Sequence, residues 1–92
     1  MKPIRFSKHA QKRMISRGAT ESEIIETVES GNWQPALQNK LQARKTLKYE
    51  QPSPVNQEVY AFKTVHVIFA DEETDLTVVT VLVYYGNEGE IL

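Results

Sequence analysis

The 92-residue chain contains no cysteine. Without thiols it has no disulfide scaffold, no thiolate zinc site and no cysteine nucleophile, so its chemistry must come from other side chains. Long hydrophobic runs are also missing. No stretch approaches the roughly 20 apolar residues that cross a bilayer, and the N-terminus lacks the apolar segment of a signal peptide. We therefore expect a soluble, cytoplasmic, single-domain protein over residues 1–92, with no membrane partner.

Metal ligands and cofactor motifs are scarce as well. The only histidines are His9 and His66, and they form no closely spaced ligand pair. The acidic segment 71–75 lacks the glycine and the ligand spacing of an EF-hand. Neither a glycine-rich phosphate loop nor a nucleophile elbow is present. We expect no metal site and no cofactor, and we set aside serine hydrolase, kinase and dinucleotide-dependent activities.

The charged residues are unevenly distributed, although the formal net charge is only -1. The first twenty residues hold six lysines and arginines and no acid, and a second basic group lies within residues 40–48. Acids collect in residues 21–29, in residues 71–75 and near the C-terminus. If the two basic groups meet in the folded chain, they form an anion-binding surface on a nearly neutral protein. The alternative is an ordinary solvated surface with segregated charge.

Two short helices are predicted near the N-terminus. Ser7 is a suitable N-cap, and Gly18 a suitable stop, for a helix over about residues 8–17. The segment Thr20–Glu23 matches a capping box, which opens a second helix that closes at Gly31. The two helices should meet in a helical hairpin or corner.

The remainder of the chain is predicted to form a sheet. Residues 41–50 alternate weakly and suit an edge strand, whose lysines discourage pairing with other chains. Strands are also predicted over residues 58–70 and 76–85, joined by an acidic hairpin loop, and the second of these is apolar enough to be central. The predicted fold is α+β, with two N-terminal helices packed on one face of a three- to four-stranded antiparallel sheet.

The most informative pattern is the spacing of His9, Arg13 and Arg17, which are four residues apart and therefore share one face of the first helix. Metal-free RNA cleavage needs a base for the ribose 2'-hydroxyl and cations for the phosphoryl oxygens. Histidine transfers protons near neutral pH, and arginine matches phosphate oxygens in fork geometry. We predict these three residues as catalytic. The structural alternative is that Arg17 pairs with Glu21 and Arg13 with a glutamate of the second helix.

Further residues are candidates to bind RNA or to supply the acid of such a reaction. Basic and aromatic side chains can contact the phosphate backbone and stack on bases, so we predict as RNA-binding residues Lys12, Lys45, Lys48 and Tyr84. A general acid must protonate the leaving 5'-oxygen. Its identity is left open among His66, Lys45 and Tyr84.

Several of these segments resemble a known family. The N-terminal part resembles the opening of small bacterial proteins grouped as domain of unknown function family 4258. The likeness lies in the pairs His-Ala, Arg-Met and Arg-Gly at residues 9–10, 13–14 and 17–18, and in the capped helix rich in glutamate that follows them. The strand at residues 67–69, the acidic turn and the strand at residues 78–81 resemble the close of that family. The family is similar in fold to RelE-like toxins and to metal-independent ribonucleases such as barnase and the colicin ribonucleases. The resemblance implies a compact nuclease-like scaffold, often encoded in toxin-antitoxin settings.

Two functions from different classes follow. The first is a toxin-like, metal-independent endoribonuclease that acts on RNA and has a small antitoxin protein as partner. The second is a noncatalytic module that binds protein or RNA on the same scaffold. The stripe of His9, Arg13 and Arg17 favours the first, whereas the sequence pI of about 6.1 favours the second, because toxins of this fold tend to be more basic. An exposed edge at residues 41–48 would also allow two copies to pair as a homodimer.

Overall fold

A computed structural model describes residues 2–87 and has an α+β fold, as the sequence predicts, with two helices and one five-stranded sheet. The order of strands across the sheet is β1-β5-β4-β3-β2. The elements, in chain order, are β1 (Ile4–Phe6), α1 (Lys8–Arg17), α2 (Glu21–Glu29), β2 (Gln34–Pro35), β3 (Leu41–Pro52), β4 (Val59–Asp71) and β5 (Leu76–Gly86).

Both helices begin where the capping signals predict. The side chain of Ser7 accepts a hydrogen bond of 3.0 Å from the backbone N–H of Ala10, and Gly18 ends α1 in the left-handed conformation with a φ of 80°. Thr20 and Glu23 form the capping box of α2, in which each side chain accepts from the backbone N–H of the other residue. These contacts satisfy backbone groups that the first helical turns would otherwise leave unpaired.

The sheet differs from the predicted three to four antiparallel strands, because it has five strands and is mixed. β1 pairs in parallel with β5, from Ile4 opposite Leu76 to Phe6 opposite Val78. β2 adds two residues that pair antiparallel with the start of β3. Both added strands are only two or three residues long, which is too short for an alternating pattern to be visible in the sequence. Each forms by pairing with the edge of a longer strand.

The central strand is β4, whereas the apolar sequence of β5 predicts that β5 is central. β5 lies second in the sheet, between the short β1 and β4. Its register with β4 shifts between Ile68 and Phe69, so that Val79 is an extra residue in β5. This bulge puts Val78 and Val81 in the core and turns Thr80, the partner of Ile68, to the other face. The valines of residues 78–83 are therefore explained by the bulge and by packing in the core, and they do not indicate a central strand.

The hydrophobic core lies between the helices and one face of the sheet. β4 contributes Val65, Val67 and Phe69, all fully buried. Trp33 packs edge-on against Phe69 with ring centroids 5.0 Å apart, and its indole N–H donates to the carbonyl of Val28. The helical residues of the core are Ala10, Met14, Ile24 and Val28.

The opposite side of the sheet is here named the open face. Directly opposed residues of antiparallel strands point to the same side, so the register defines the rows of side chains on this face. Across β3, β4 and β5 the rows are Gln42–Ile68–Thr80, Arg44–His66–Leu82, Thr46–Thr64–Tyr84 and Lys48–Phe62–Gly86.

The corner between the two helices is fixed to the sheet by a buried lysine. Lys63 of β4 donates to the carbonyl of Gly18, and its Nζ lies 2.7 Å from the Glu23 carboxylate. The Tyr85 hydroxyl donates to the carbonyl of Arg17 at 2.6 Å. These contacts hold the C-terminal end of α1 against β4 and β5, and they set the direction in which α1 runs along the sheet.

Candidate functional site

Helix α1 lies along the edge of β5 where β1 no longer covers it. The pairing of β1 with β5 ends at Val78. Beyond that point the Ser7 hydroxyl donates to the Val79 carbonyl at 3.1 Å, and Arg17 Nη1 donates to the Val81 carbonyl at 2.8 Å. Side chains of α1 and its N-cap thus satisfy the outward carbonyls of β5, which an adjacent strand would otherwise pair.

Two of the three predicted catalytic residues contact each other on this edge. His9 Nε2 lies 3.2 Å from the Thr80 hydroxyl and 3.5 Å from Arg13 Nε. Arginine only donates hydrogen bonds, so Nε2 is the acceptor in the longer of these contacts. His9 and Arg13 are both exposed. The arrangement therefore presents an imidazole, a guanidinium and a hydroxyl to solvent at one point of the surface.

Arg17 differs from the other two members of the stripe. Its guanidinium is half-buried and bound to the Val81 carbonyl, so it stabilises the edge of the sheet. Neither Arg13 nor Arg17 forms an ion pair within residues 2–87, so the alternative pairings of Arg17 with Glu21 and of Arg13 with a glutamate of α2 are both wrong. The spacing predicts the shared helix face correctly, but the contact that separates the two arginines comes from β5.

The open face adjoins this site at Thr80, and its charged side chains are basic. Segments 42–48, 62–68 and 80–84 contribute no aspartate or glutamate to it. Arg44 and Lys48 are both exposed there. The acids of the described chain lie instead on α2, in the loops and near strand ends, where Glu50 belongs to β3 and Asp71 ends β4. Two residues of the second basic group, Arg44 and Lys48, therefore lie on the face of the sheet that also carries Thr80.

The four predicted RNA-binding residues fall in three places. Lys48 and Tyr84 lie on the open face, where the Tyr84 side chain is 41% exposed. Lys12 is exposed on α1. Lys45 lies on the helix-covered side of β3, where its Nζ is 3.6 Å from the Glu26 carboxylate. The structure therefore brings Lys48 and Tyr84 to one surface and leaves Lys45 on the other.

His66 lies at the centre of the open face, diagonal to Thr80 across β4 and β5. Its Nε2 is 2.7 Å from the side-chain oxygen of Gln42. Burial and, to a lesser extent, the nearby Arg44 guanidinium lower the pKa of His66 below its ordinary value. The Tyr84 ring lies 6.5 Å from the imidazole, measured between centroids. Of the three candidate acids, His66 and Tyr84 thus share a face with Thr80, and no hydrogen bond joins either of them to His9 within residues 2–87.

Sequence reasoning did not identify two features of the site. Thr80 is an ordinary strand former by sequence, and although the family resemblance makes its position worth testing, its contact with His9 depends on the bulge at Val79. Gln42 has no motif of its own, and its contact with His66 depends on the pairing of β3 with β4.

Within residues 2–87, no three His, Asp or Glu side chains come together as a metal site would require. No helix in that part of the chain is long and apolar enough to cross a membrane.

These features define a small α+β domain in which a basic helix covers the edge of a mixed sheet, and the charged side chains that segments 42–48, 62–68 and 80–84 contribute to the uncovered sheet face are all basic. The chain belongs to the family described as domain of unknown function (DUF4258), whose model matches residues 6–83. The matched region contains α1, α2 and nearly all of the sheet, which confirms the family resemblance seen in the sequence. No curated protein and no solved structure matches the chain.

Proposed function

We propose that the protein is a metal-independent endoribonuclease related to the RelE-like toxins, with His9 as the proton-transfer group and Arg13 as the phosphate ligand. The observation that carries this proposal is the contact of His9 Nε2 with both Arg13 and Thr80 at an exposed site. An imidazole acceptor within reach of a guanidinium is a suitable arrangement for a phosphodiester, since one group takes the proton while the other stabilises the phosphoryl oxygens.

The proposed reaction uses the ribose 2'-hydroxyl as nucleophile. His9 Nε2 accepts its proton, the 2'-oxygen attacks phosphorus, and the bond from phosphorus to the 5'-oxygen breaks. The 5'-oxygen takes up a proton from solvent or from the imidazolium, so the products are a 2',3'-cyclic phosphate and a 5'-hydroxyl. Arg13 contacts the non-bridging oxygens, on which negative charge builds up in the transition state. The Thr80 hydroxyl orients the imidazole in the free protein, and the 2'-hydroxyl takes its place at Nε2 when RNA binds.

The open face supplies the binding surface in this proposal. Arg44 and Lys48 would contact the phosphate backbone, with Lys12 at the helical end, and Tyr84 would stack on a base. Lys45, held near Glu26 on the other side of the sheet, lies outside this surface. Arg17 supports the site by holding α1 on β5. The proposal implies a small antitoxin protein as partner, which would cover the open face. A homodimer would form if two copies paired along the outer edge of β3.

One observation favours a noncatalytic RNA- or protein-binding module instead. The bond from Arg17 to Val81 leaves Arg13 as the only guanidinium near His9 among the described residues, and His66 and Tyr84 are not bonded to His9. A binding module needs the basic open face but no pair of proton-transfer groups. The two functions therefore differ in the role of His9 and agree in the role of Arg44 and Lys48.

The experiment is incubation of the purified protein with total RNA in EDTA. We compare the wild type with H9Q and R13M, and with I15A as a control. Ile15 lies on the same helix and is 84% exposed, so its loss should change neither folding nor activity. Cleavage by wild type and I15A, but not by H9Q or R13M, would support the ribonuclease. RNA binding without cleavage by any folded protein, unchanged by H9Q, would support the binding module.

A further inference from the structure

The open face contains a small polar cavity that the proposed cleavage chemistry does not use. It has a volume of about 310 Å³, at the small end of the range for ligand sites. It lies where β2, β3 and β4 meet, away from the His9 edge. The residues that line it are Asn32, Gln34, Gln42, Ala43, Arg44 and His66. Three carboxamides, a guanidinium and an imidazole in so small a space make the cavity rich in hydrogen-bonding groups.

The hydrogen bonds of Gln42 fix the tautomer of His66. The Gln42 amide nitrogen donates to the carbonyl of Pro35 at 2.8 Å, so its oxygen faces His66 Nε2. An amide oxygen only accepts, and His66 Nε2 must therefore carry the proton. Because burial keeps the imidazole neutral, with its pKa lowered, Nδ1 has a free lone pair and acts as an acceptor.

His66 Nδ1 has no hydrogen-bond partner within residues 2–87. The His66 side chain is more than nine-tenths buried, with an exposed fraction of 8%. A buried acceptor without a donor costs about 1–3 kcal/mol, so a donor from outside the protein that reached it would be favourable. Because Nδ1 itself is covered, a side chain of the cavity lining must move aside to admit that donor. Arg44, opposite His66 in the sheet, is exposed and takes part in no ion pair of the described chain. Its guanidinium is able to move over a bound molecule.

We propose that this cavity binds a nucleobase that has a carbonyl beside a ring N–H, that is uracil or guanine. The ring N–H donates to His66 Nδ1, and Arg44 and a carboxamide of Gln34 or Asn32 donate to the carbonyl oxygens. Adenine and cytosine lack a donor at the corresponding ring nitrogen and would leave that pairing incomplete. The cavity thereby gives the open face a preference among RNA bases. The inference rests on the proposed function only in assuming that the base belongs to RNA.

The test is binding of the four nucleoside 3'-monophosphates to the whole protein. Calorimetry measures the affinity, and the ¹⁵N resonance of His66 Nδ1 reports contact with that atom. H66Q keeps a donor for Gln42 while removing the acceptor at Nδ1, and R44Q removes the exposed guanidinium. R5Q is the matched control, because Arg5 is exposed on β1 and, within residues 2–87, pairs with Asp75 alone, at 3.6 Å. Melting temperatures show whether each variant is folded, and R44Q carries the test if H66Q is not.

We expect the uridine or guanosine nucleotide to bind at least tenfold more tightly than the adenosine and cytidine nucleotides, with a shift of the Nδ1 resonance. H66Q and R44Q should each weaken that binding about tenfold, and R5Q should not. Equal binding of all four nucleotides, no binding of any, or an Nδ1 resonance that does not respond would overturn the proposal. Selective binding without RNA cleavage would support base recognition at this cavity and contradict the proposed ribonuclease activity. RNA cleavage by the wild type together with equal binding of all four nucleotides would support the ribonuclease and contradict base selection at this cavity.

Discussion

His9 Nε2 lies 3.2 Å from the Thr80 hydroxyl, although 71 positions separate the two residues in the chain. His9 comes from the first turn of α1 and Thr80 from the bulged part of β5. Because Arg17 and Ser7 hold the helix against the carbonyls of the same strand, this contact lies where the helix is anchored to the sheet. The proposed site is therefore preorganised in the folded chain, which is the condition for a positioned proton-transfer group.

Thr80→Val removes this hydroxyl without changing the volume of the side chain. A single hydrogen bond contributes about 0.5–1.5 kcal/mol, so RNA cleavage should fall about two- to tenfold while the melting temperature stays close to that of wild type. Thr74→Val is the matched control, because Thr74 lies in an exposed loop and its hydroxyl donates to the neighbouring Asp75 carboxylate. An equal loss of cleavage in both variants would argue against orientation of His9 by Thr80.

Arg13→Met and Arg17→Met should separate a functional arginine from a structural one. Arg17 donates to a backbone carbonyl in a half-buried position, and loss of such a charged donor costs about 1.5–3 kcal/mol of unfolding free energy. Arg13 is exposed, so its loss should cost less than about 0.5 kcal/mol but abolish cleavage. Urea unfolding and the RNA assay on the same preparations measure both effects. Equal destabilisation by the two variants would contradict the assignment of Arg17 to the sheet edge.

The buried pair of Lys63 and Glu23 should contribute more to stability than an exposed pair. Lys63→Met leaves the Glu23 carboxylate without its lysine partner and should lower the unfolding free energy by about 3–5 kcal/mol. Lys2→Met removes a pair with Asp71 in which both side chains are about 40% exposed, and should cost about 0–1 kcal/mol. Denaturant unfolding compares the two lysines directly. Similar losses of unfolding free energy in the two variants would mean that water readily reaches the Gly18 carbonyl and the Glu23 carboxylate when Lys63 is lost.

Stability should fall with decreasing pH because of His66. Its pKa in the folded protein is below the ordinary value of 6.5, so the unfolded chain binds its proton first. The contribution is fully present above pH 6.5 and is lost as the pH decreases from there toward the folded-state pKa. We expect the difference in unfolding free energy between wild type and H66Q to shrink over that interval. A difference that is independent of pH would show that His66 has equal pKa values in both states.

The sequence determined the local structure and the chemistry of the residues. Ser7, Gly18 and the Thr20–Glu23 box act within one or two turns of backbone, so they predict both helix starts without knowledge of the rest of the fold. The four-residue spacing likewise places His9 and Arg13 together. The absence of cysteine, the segregated charge and the family likeness were also readable directly.

The way in which these local elements meet depends on contacts between segments that are distant in the sequence. β1 and β2 form on the edges of longer strands, the bulge at Val79 turns Thr80 toward His9, and the edge of β5 binds Arg17 and leaves Arg13 exposed. The cavity at His66 depends on the register of β3 with β4. A strand register is fixed by partners distant in the sequence, and a shift of one residue would turn every side chain to the opposite face. The sites on the open face are for that reason properties of the sheet, which no single segment of the sequence carries.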